Sequence, residues 1–415
     1  MERAFITGVL LWSVWLQLQV NAQWQQIARG HIKTLQVVAV NKWMELPIIQ
    51  LHANEVVHID FDDLSHEKKR YAYRVEHCEA DWTPSVQLFE SDYLEGFAEG
   101  NTIDDMMQSV NTNTLYTHYH LQLPNSQCQF KIGGNYRVSV YDELHGYDKV
   151  LEACFMVVDP QMTIGMSVTG NTDVDIHRKR QQLSLDLQFN ACKVNNWQQE
   201  VKTVTLQNAC WETAVTNPTP QYVKTNGLQW THNRQLIFPA GNEYHKFEML
   251  DVDRVSMGLD RVAWDGKAYH AYLLPDLPKP SYLYDEDANG AFFIRNSDNV
   301  DIHTTSDYLY VHFKLQIPQQ LGQIYLNGRW TERLMPTYRM TWNEQDACYE
   351  ATVFLKQGYY NYRYLLVKPD GSILLLPYDG CFSETENTYT TLVYYRPFGG
   401  RTDILVAVGS VNTKK

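Results

Sequence analysis

The chain has 415 residues and a formal net charge of −13 at pH 7. A chain of this length is expected to divide into about two to four domains, because single hydrophobic cores stop growing well below it. The acidic balance argues against nucleic acid and anionic lipid as partners, since both are recognised by basic surfaces.

The first residues have the pattern of an export signal. Arg3 precedes a short apolar run from Gly8 to Leu18, and the small residue Ala22 ends the segment. The run is shorter than the ~18 to 20 residues that a membrane span needs. We therefore expect a signal peptide over residues 1–22, cleaved after Ala22, rather than a membrane anchor.

The seven cysteines have no paired CxxC spacing. A zinc ribbon and a thioredoxin-like redox motif are therefore not supported. In an oxidising compartment some of the cysteines could pair, although an odd total leaves at least one free, and the sequence does not fix the pairing. Cys78, inside a predicted strand, is expected to be a small buried apolar residue.

The segment 23–159 is predicted to form a first β-sandwich. Residues 71–76 alternate between two faces, as in a half-buried strand, and the turn-forming cluster 81–85 ends that strand. The other predicted strands of this segment are 32–40, 56–61, 119–123, 136–141 and 154–158.

A second β-sandwich is predicted over residues 160–280. Its clearest strand is 183–189, where four apolar residues take one face and three polar residues the other. Pro275, Pro278 and Pro280 then interrupt the pattern, and residues 281–305 are expected to be a linker that contains a turn.

The segment 306–401 shows the most regular strand pattern, and a tail is expected over 402–415. Its order of strands is typical of an immunoglobulin-like sandwich and is similar to the early-set domains found beside glycan enzymes. The predicted fold is therefore all-β, with three tandem antiparallel β-sandwich (immunoglobulin-like) domains. The predicted strands of the last domain are 308–315, 323–326, 349–355, 359–366 and 389–395.

Two places have a spacing that suggests metal ligands. Residues 285–290 match the opening of a calcium loop, but Asn296 stands where the bidentate carboxylate is needed, and a hairpin turn explains the segment as well. His118 and His120 would face the same side of a strand, as two zinc ligands should. The sequence identifies no third ligand for them, so we expect no metal and no cofactor.

No catalytic motif is found. The sequence contains neither GxSxG nor HExxH. The adjacent carboxylates Asp62-Asp63 and Asp104-Asp105 could serve a glycosidase only across a cleft of set width, and such pairs in turns are usually solvated surface charges. The protein is therefore expected not to be an enzyme.

Several segments in order along the chain resemble the plug proteins of the type IX secretion system. The first domain carries the most specific of them, and the similarity continues to the end of the last predicted strand. The segments are PIIQL at 47–51, FDDL at 61–64, HCEADWTPS at 77–85, YLEGF at 93–97, YTHY at 116–119, GGNY at 133–136, VVDP at 157–160, FPAGNE at 238–243 and VYYRPFGGR at 393–401.

This resemblance implies a periplasmic plug. Such a protein would dock on the inner face of the outer membrane, without a span of its own, and would occlude the giant β-barrel translocon of the secretion system. The resemblance carries no binding residues to transfer. From composition alone, Arg396, Phe398 and Arg401 near the end of the last strand suit a protein contact, because arginine and aromatic residues are enriched at interfaces.

A secreted glycan-binding protein is the alternative prediction. Aromatic side chains of the last predicted domain could form a sugar-binding face, although aromatic-rich strands also suit any β-sandwich core. The candidate residues for that role are Trp330, Trp342, Tyr360 and Tyr362.

Overall fold

The computed structural model of the protein describes residues 25–298, 300–332 and 334–413. The expected signal peptide lies outside the described residues. Within them the chain is nearly all β, in mainly antiparallel sheets, as predicted. The helices of the described part are single turns of four residues, and none is long and apolar enough to cross a membrane.

The strands form three pairs of facing sheets, which define the first, second and third units, and a further two-stranded sheet lies in the first unit. The first unit contains β1 (Gln26–Ile27), β2 (Ile32–Ala39), β3 (Ile48–Gln50), β4 (Val57–Asp63), β5 (Tyr71–Cys78), α1 (Glu90–Tyr93), β6 (Leu94–Gly96), β7 (Asn101–Ile103), β8 (Asp105–Gln108), β9 (Thr117–Leu123), β10 (Cys128–Phe130), β11 (Gly134–Asp142) and β12 (Asp148–Val158).

The second unit begins with β13 (Thr163–Thr169), β14 (Arg180–Gln188), α2 (Trp197–Glu200), β15 (Val201–Gln207), β16 (Cys210–Thr216), β17 (Tyr222–Lys224), β18 (Gly227–Trp230) and β19 (Ile237–Pro239). The third unit contains β20 (His245–Met249), β21 (Leu259–Trp264), β22 (Tyr269–Leu273), β23 (Phe292–Ile294), α3 (Ile302–Thr305), β24 (Tyr308–Leu315), β25 (Gln323–Asn327), β26 (Thr341–Asn343), β27 (Cys348–Lys356), β28 (Gly358–Val367) and β29 (Ile373–Leu375). The chain then returns to the second unit with β30 (Thr388–Tyr395) and β31 (Ile404–Asn412).

Each unit has two facing sheets with a hydrophobic cluster between them. In the first unit β1-β12-β11-β5-β7 faces β2-β4-β9-β8. In the second, β13-β14-β18-β17 faces β16-β15-β30-β31, and in the third β21-β22-β24-β27-β26 faces the strands paired with β28. Strand periodicity explains the cores: Leu183, Leu185 and Leu187 of β14 are all buried while the residues between them are half-buried.

Strand pairing crosses the boundaries expected from the sequence. Residues 389–395, predicted as the last strand of a C-terminal domain, lie in β30 and pair with β15 of the second unit, with Leu392 opposite Val204. The expected tail supplies β31, which pairs with β30. Alternation along a strand predicts which side chains are buried but not which strand lies alongside, and this is why the placement was wrong.

The start of the third unit also differs from the expected boundary. Strand β20, which lies before the predicted linker, pairs with β28, and β23, which lies inside that linker, pairs with β28 as well. The segment 281–305 therefore contributes a strand and helix α3 to the third unit.

Candidate functional site

The stretch that follows β5 is a tight turn whose tryptophan is buried. Trp82 has a positive φ of 66°, which is rare for a bulky residue. Its backbone N–H donates to the carbonyl of Glu79 at 2.9 Å, and its ring meets Trp211 of the second unit edge-on, with 5.9 Å between centroids. The turn therefore inserts an aromatic side chain between two units.

Trp82 belongs to a hydrophobic cluster, which we call the apolar junction, between the first and second units. Its members come from β5 and β12 on one side and from β15, β30 and β31 on the other. They are Cys78, Ala80, Trp82, Cys154, Met156, Val204, Leu206, Leu392, Tyr394 and Leu405. Cys78 is fully buried, as predicted, and burial raises the pKa of its thiol to about 12. None of the seven cysteines, all of which the structure describes, forms a disulfide.

Charged groups close the rim of the apolar junction. The Arg396 guanidinium donates to Glu79 at 2.5 Å and to Asp403 at 3.0 Å, and Lys202 donates to Asp403 at 2.8 Å. Burial would raise the pKa of Asp403, but the hydrogen bond from Lys202 and its charge lower it below its usual range. Arg396, one of the three residues expected to contact a partner, is therefore engaged inside the molecule as a brace.

Beside this rim, two adjacent loops expose large apolar side chains. Arg401 joins the loops, because its guanidinium pairs with Asp92 at 2.9 Å and donates to the carbonyl of Gln87 at 3.3 Å. Phe398 is 89% exposed on one loop, and Val86 and Phe89 are 89% and 75% exposed on the other. We call residues 86–92 and 397–401 the loop surface.

The aromatic residues proposed for glycan binding lie mostly in the core of the third unit. Trp330, Tyr360 and Tyr362 are 8%, 1% and 3% exposed, and the Trp330 indole N–H donates to the carbonyl of Asn361. Trp342 is half-buried and packs on the ring of Tyr349, at 4.9 Å between centroids. Rings enclosed in this way cannot stack on a sugar, so the structure corrects that assignment of residues.

The calcium-like turn has its acids engaged by protein donors. Asp287 accepts from the backbone N–H groups of Tyr244 and Asn289, and Asp285 pairs with Lys246. Burial raises the pKa of Asp287 to about 7, which disfavours the ionised form that a calcium ligand needs.

A second junction, between the first and third units, is built from charged and polar groups; we call it the charged junction. Asp62, predicted to be a solvated surface charge, is almost fully buried, and so is its neighbour Asp63. The Asp62 carboxylate accepts from the buried Lys356 ammonium at 2.6 Å and from the Tyr308 hydroxyl at 2.7 Å. The Lys356 ammonium also donates to the carbonyl of His303 at 2.7 Å.

His118 and His120 of β9 reach the same junction from one face of their strand. Nδ1 of His118 lies 2.8 Å from Asp62, while Nδ1 of His120 and Nε2 of His118 lie 2.7 and 3.4 Å from the same oxygen of Asp60. Burial lowers the pKa of His118, but the hydrogen bonds to Asp60 and Asp62 outweigh it and raise the pKa to about 9. Two carboxylates, a lysine and two histidines thus share one buried network.

Comparison with known proteins agrees with this architecture. A crystal structure of a hypothetical protein from Parabacteroides merdae ATCC 43184 superposes with a TM-score of 0.91 at 39% sequence identity, over 95% of this chain and 100% of that one. The collagen adhesin CNA from S. aureus is aligned over 92% of this chain and 91% of that one, but at only 6% identity and with a TM-score of 0.10. No curated protein matches the chain.

The fold and its junctions define an all-β protein of three interlocked units. Residues 32–159, which form most of the first unit, match the family model described as the first domain of the type 9 secretion system plug protein. This part of the chain therefore belongs to the first-domain family of the type IX secretion system plug proteins.

Proposed function

We propose that the protein is a non-enzymatic periplasmic plug, which binds the outer-membrane β-barrel translocon of the type IX secretion system and occludes its pore. The observation that carries the proposal is the match of the first unit to the plug family. A channel wide enough for folded proteins would leak solutes when idle, and a body that covers it needs a complementary shape and no chemistry.

The contacts among the three units suit that task. The apolar junction fixes the second unit to the first, and the Asp62–Lys356 pair links the third unit to the first. The second and third units also meet, where the Asn327 amide donates to Glu212. Because every unit contacts the other two, the molecule can cover an opening as one rigid body rather than as three domains that move independently.

We place the contact with the barrel at the loop surface. Phe398, Val86 and Phe89 expose apolar area that the fold itself does not cover, and aromatic side chains beside an arginine are typical of interface hot spots. The surface adjoins the HCEADWTPS segment at 77–85, which lies inside the region that matches the family model. Of the three contact residues expected from the sequence, Phe398 keeps the role; Arg396 and Arg401 hold the loops in place.

The test is a pull-down of the tagged mature protein from detergent-solubilised envelope, followed by identification of the copurifying proteins. Truncation of a hot spot costs about 2 kcal/mol or more, or roughly thirtyfold in affinity. Phe398→Ala should therefore lose most of the barrel that the parent protein recovers. Leu321→Ala is the matched control, since Leu321 is also 89% exposed but lies in the third unit.

One result would contradict the plug function, and another would contradict only the placement of the contact at the loop surface. If no very large β-barrel copurifies and the protein is retained on a polysaccharide column instead, the glycan-binding alternative replaces the plug. If Phe398→Ala and Leu321→Ala recover the barrel equally well, the plug function stands and the loop surface is not the contact.

A further inference from the structure

The charged junction brings three metal-binding side chains together from distant parts of the chain. Asp60 lies in β4, His118 in β9 and His303 in α3, and one ligand atom from each lies within 4.8 Å of the other two. The Nε2 atom of His118 and an oxygen of Asp60 are 3.4 Å apart. Two ligands bound at about 2.1 Å to a tetrahedral cation are separated by about 3.4 Å, so this pair already has the required spacing.

The groups behind these ligands orient them for a cation. Nδ1 of His118 is bonded to Asp62, and Nε2 faces Asp60. A bound cation takes the place of the Nε2 proton that the two carboxylates otherwise favour. A carboxylate behind a histidine is the usual second layer of a zinc site. His120 bonds to the same oxygen of Asp60 that faces His118 and holds that carboxylate in place. Lys356 donates to Asp62, which orients His118, and to the backbone carbonyl of His303, so one side chain acts on the positions of two ligands.

His303 supplies the third ligand of the site. Its Nδ1 atom is buried and has no hydrogen-bond partner among the described residues. A buried polar atom without a partner is destabilising, and native structures seldom leave one without a reason. The His303 ring lies 4.8 Å from that of His118, measured between centroids, and a ligand nitrogen of His303 lies within 4.8 Å of the ligand atoms of His118 and Asp60.

The site opens to a cleft. Asp60, His118 and His303 line a cavity of about 450 Å³, together with His58 and His120. A cation can therefore reach these side chains from the cleft.

We propose that Asp60, His118 and His303 bind a divalent transition-metal cation of the zinc class at the junction of the first and third units. Two imidazoles and one carboxylate suit zinc, cobalt or nickel, whereas calcium and magnesium take oxygen ligands. Because the ligands come from both units, the bound cation joins the third unit to the first. The other group of potential ligands, Asp346, Cys348 and Glu350, already has Lys314 between its carboxylates.

The test uses the full mature chain with a histidine-free tag, stripped of metal with a chelator. Co²⁺ is added and its visible absorption followed, because four-coordinate Co²⁺ absorbs far more strongly than the hydrated ion, and Zn²⁺ affinity is measured by calorimetry. One equivalent of each ion should bind per chain. His303→Ala and Asp60→Asn should each weaken Zn²⁺ binding at least tenfold, and excess Ca²⁺ should not displace it.

The control is a second histidine pair on the third unit. Nδ1 of His270 and Nε2 of His312 lie 2.8 Å apart, and His270→Ala should bind Zn²⁺ as the parent does. Failure of the folded parent protein to bind either ion would overturn the proposal. So would a His303→Ala variant, folded by circular dichroism, that binds with parental affinity, because the cation would then sit elsewhere.

Discussion

The first unit meets its two neighbours through surfaces of opposite chemistry. The apolar junction buries Trp82, Leu206 and Tyr394 and keeps its ions at the rim. The charged junction instead buries Asp62 and Lys356 at its centre, each about 1% exposed. Burial of apolar surface contributes roughly 25 cal/mol per Å² to folding stability. A buried ion pair seldom contributes more stability than apolar residues of similar size would contribute in its place.

This difference suggests different roles for the two junctions. The burial of apolar surface is enough to explain the apolar junction, which holds the second unit against the first beside the loop surface. Burial penalises both charges of the Asp62–Lys356 pair, although each lowers that penalty for the other. A function that needs the charges, such as orienting His118 and His303 toward a cation, accounts for their presence better than stability does.

The largest effect is expected when one member of the buried pair is removed. Lys356→Met leaves Asp62 buried without its partner ammonium, and such a change costs about 3–5 kcal/mol in the free energy of unfolding. The double variant Asp62→Asn/Lys356→Met should recover much of that loss. Denaturant unfolding of the parent, both single variants and the double variant measures this, and purely additive losses would show that the pair does not act as a unit.

A truncation in the apolar junction is expected to cost slightly less. Leu206 is fully buried there, and Leu→Ala changes in cores destabilise by about 2–5 kcal/mol. Leu183→Ala, in the core of the second unit, is the matched control and should cost about the same. A much smaller loss for Leu206→Ala would mean that the apolar junction opens independently of the second unit.

Acid should destabilise the first unit beside the apolar junction. Buried His77 bonds to Ser85 and to the carbonyl of Gly133, and burial lowers its pKa to about 4. Below the ordinary histidine pKa of about 6.5, His77 is protonated in the unfolded chain but stays neutral in the folded chain. The free energy of unfolding therefore falls as the pH drops from 6.5 to 4. The loss should reach about 2–3 kcal/mol at pH 4.

The control for this pH dependence is His77→Gln, which keeps a polar side chain but does not titrate. Unfolding free energies of both proteins are compared at pH 7 and pH 4. The difference between the variant and the parent should shrink toward acid pH. A constant difference would assign the acid sensitivity to other groups.

The smallest effect is expected at the rim of the loop surface. Arg401 is half exposed, and exposed ion pairs contribute only about 0.2–1 kcal/mol. Arg401→Gln should therefore change unfolding little, while loosening the loop that carries Phe398. If it destabilises as much as Leu206→Ala, the loops are part of the structural core and not a binding surface.

Local features of the fold could be predicted from the sequence. The alternation in β14, the burial of Cys78 and the shared face of His118 and His120 all follow from strand geometry, which acts over neighbouring residues. Features that depend on distant partners could not be predicted. The pairing of β30 with β15 and the burial of Asp62 against Lys356 are set by which surfaces meet.

The third ligand, His303, could not be predicted from the sequence for the same reason. His303 lies in a segment without strand periodicity that was expected to be a linker, and no spacing relates it to His118. The acids of β4 were the available signal: three aspartates among seven residues of a buried strand need partners. That signal indicates burial and partners but does not name them.

The most direct test of occlusion is to measure solute leakage through the translocon. Outer-membrane vesicles that carry the type IX barrel but lack this protein are loaded with a small fluorescent solute, and the purified mature chain is added from the periplasmic side. We expect leakage to fall as the protein binds, and Phe398→Ala to require a much higher concentration than Leu321→Ala. Unchanged leakage at saturating, confirmed binding would contradict occlusion.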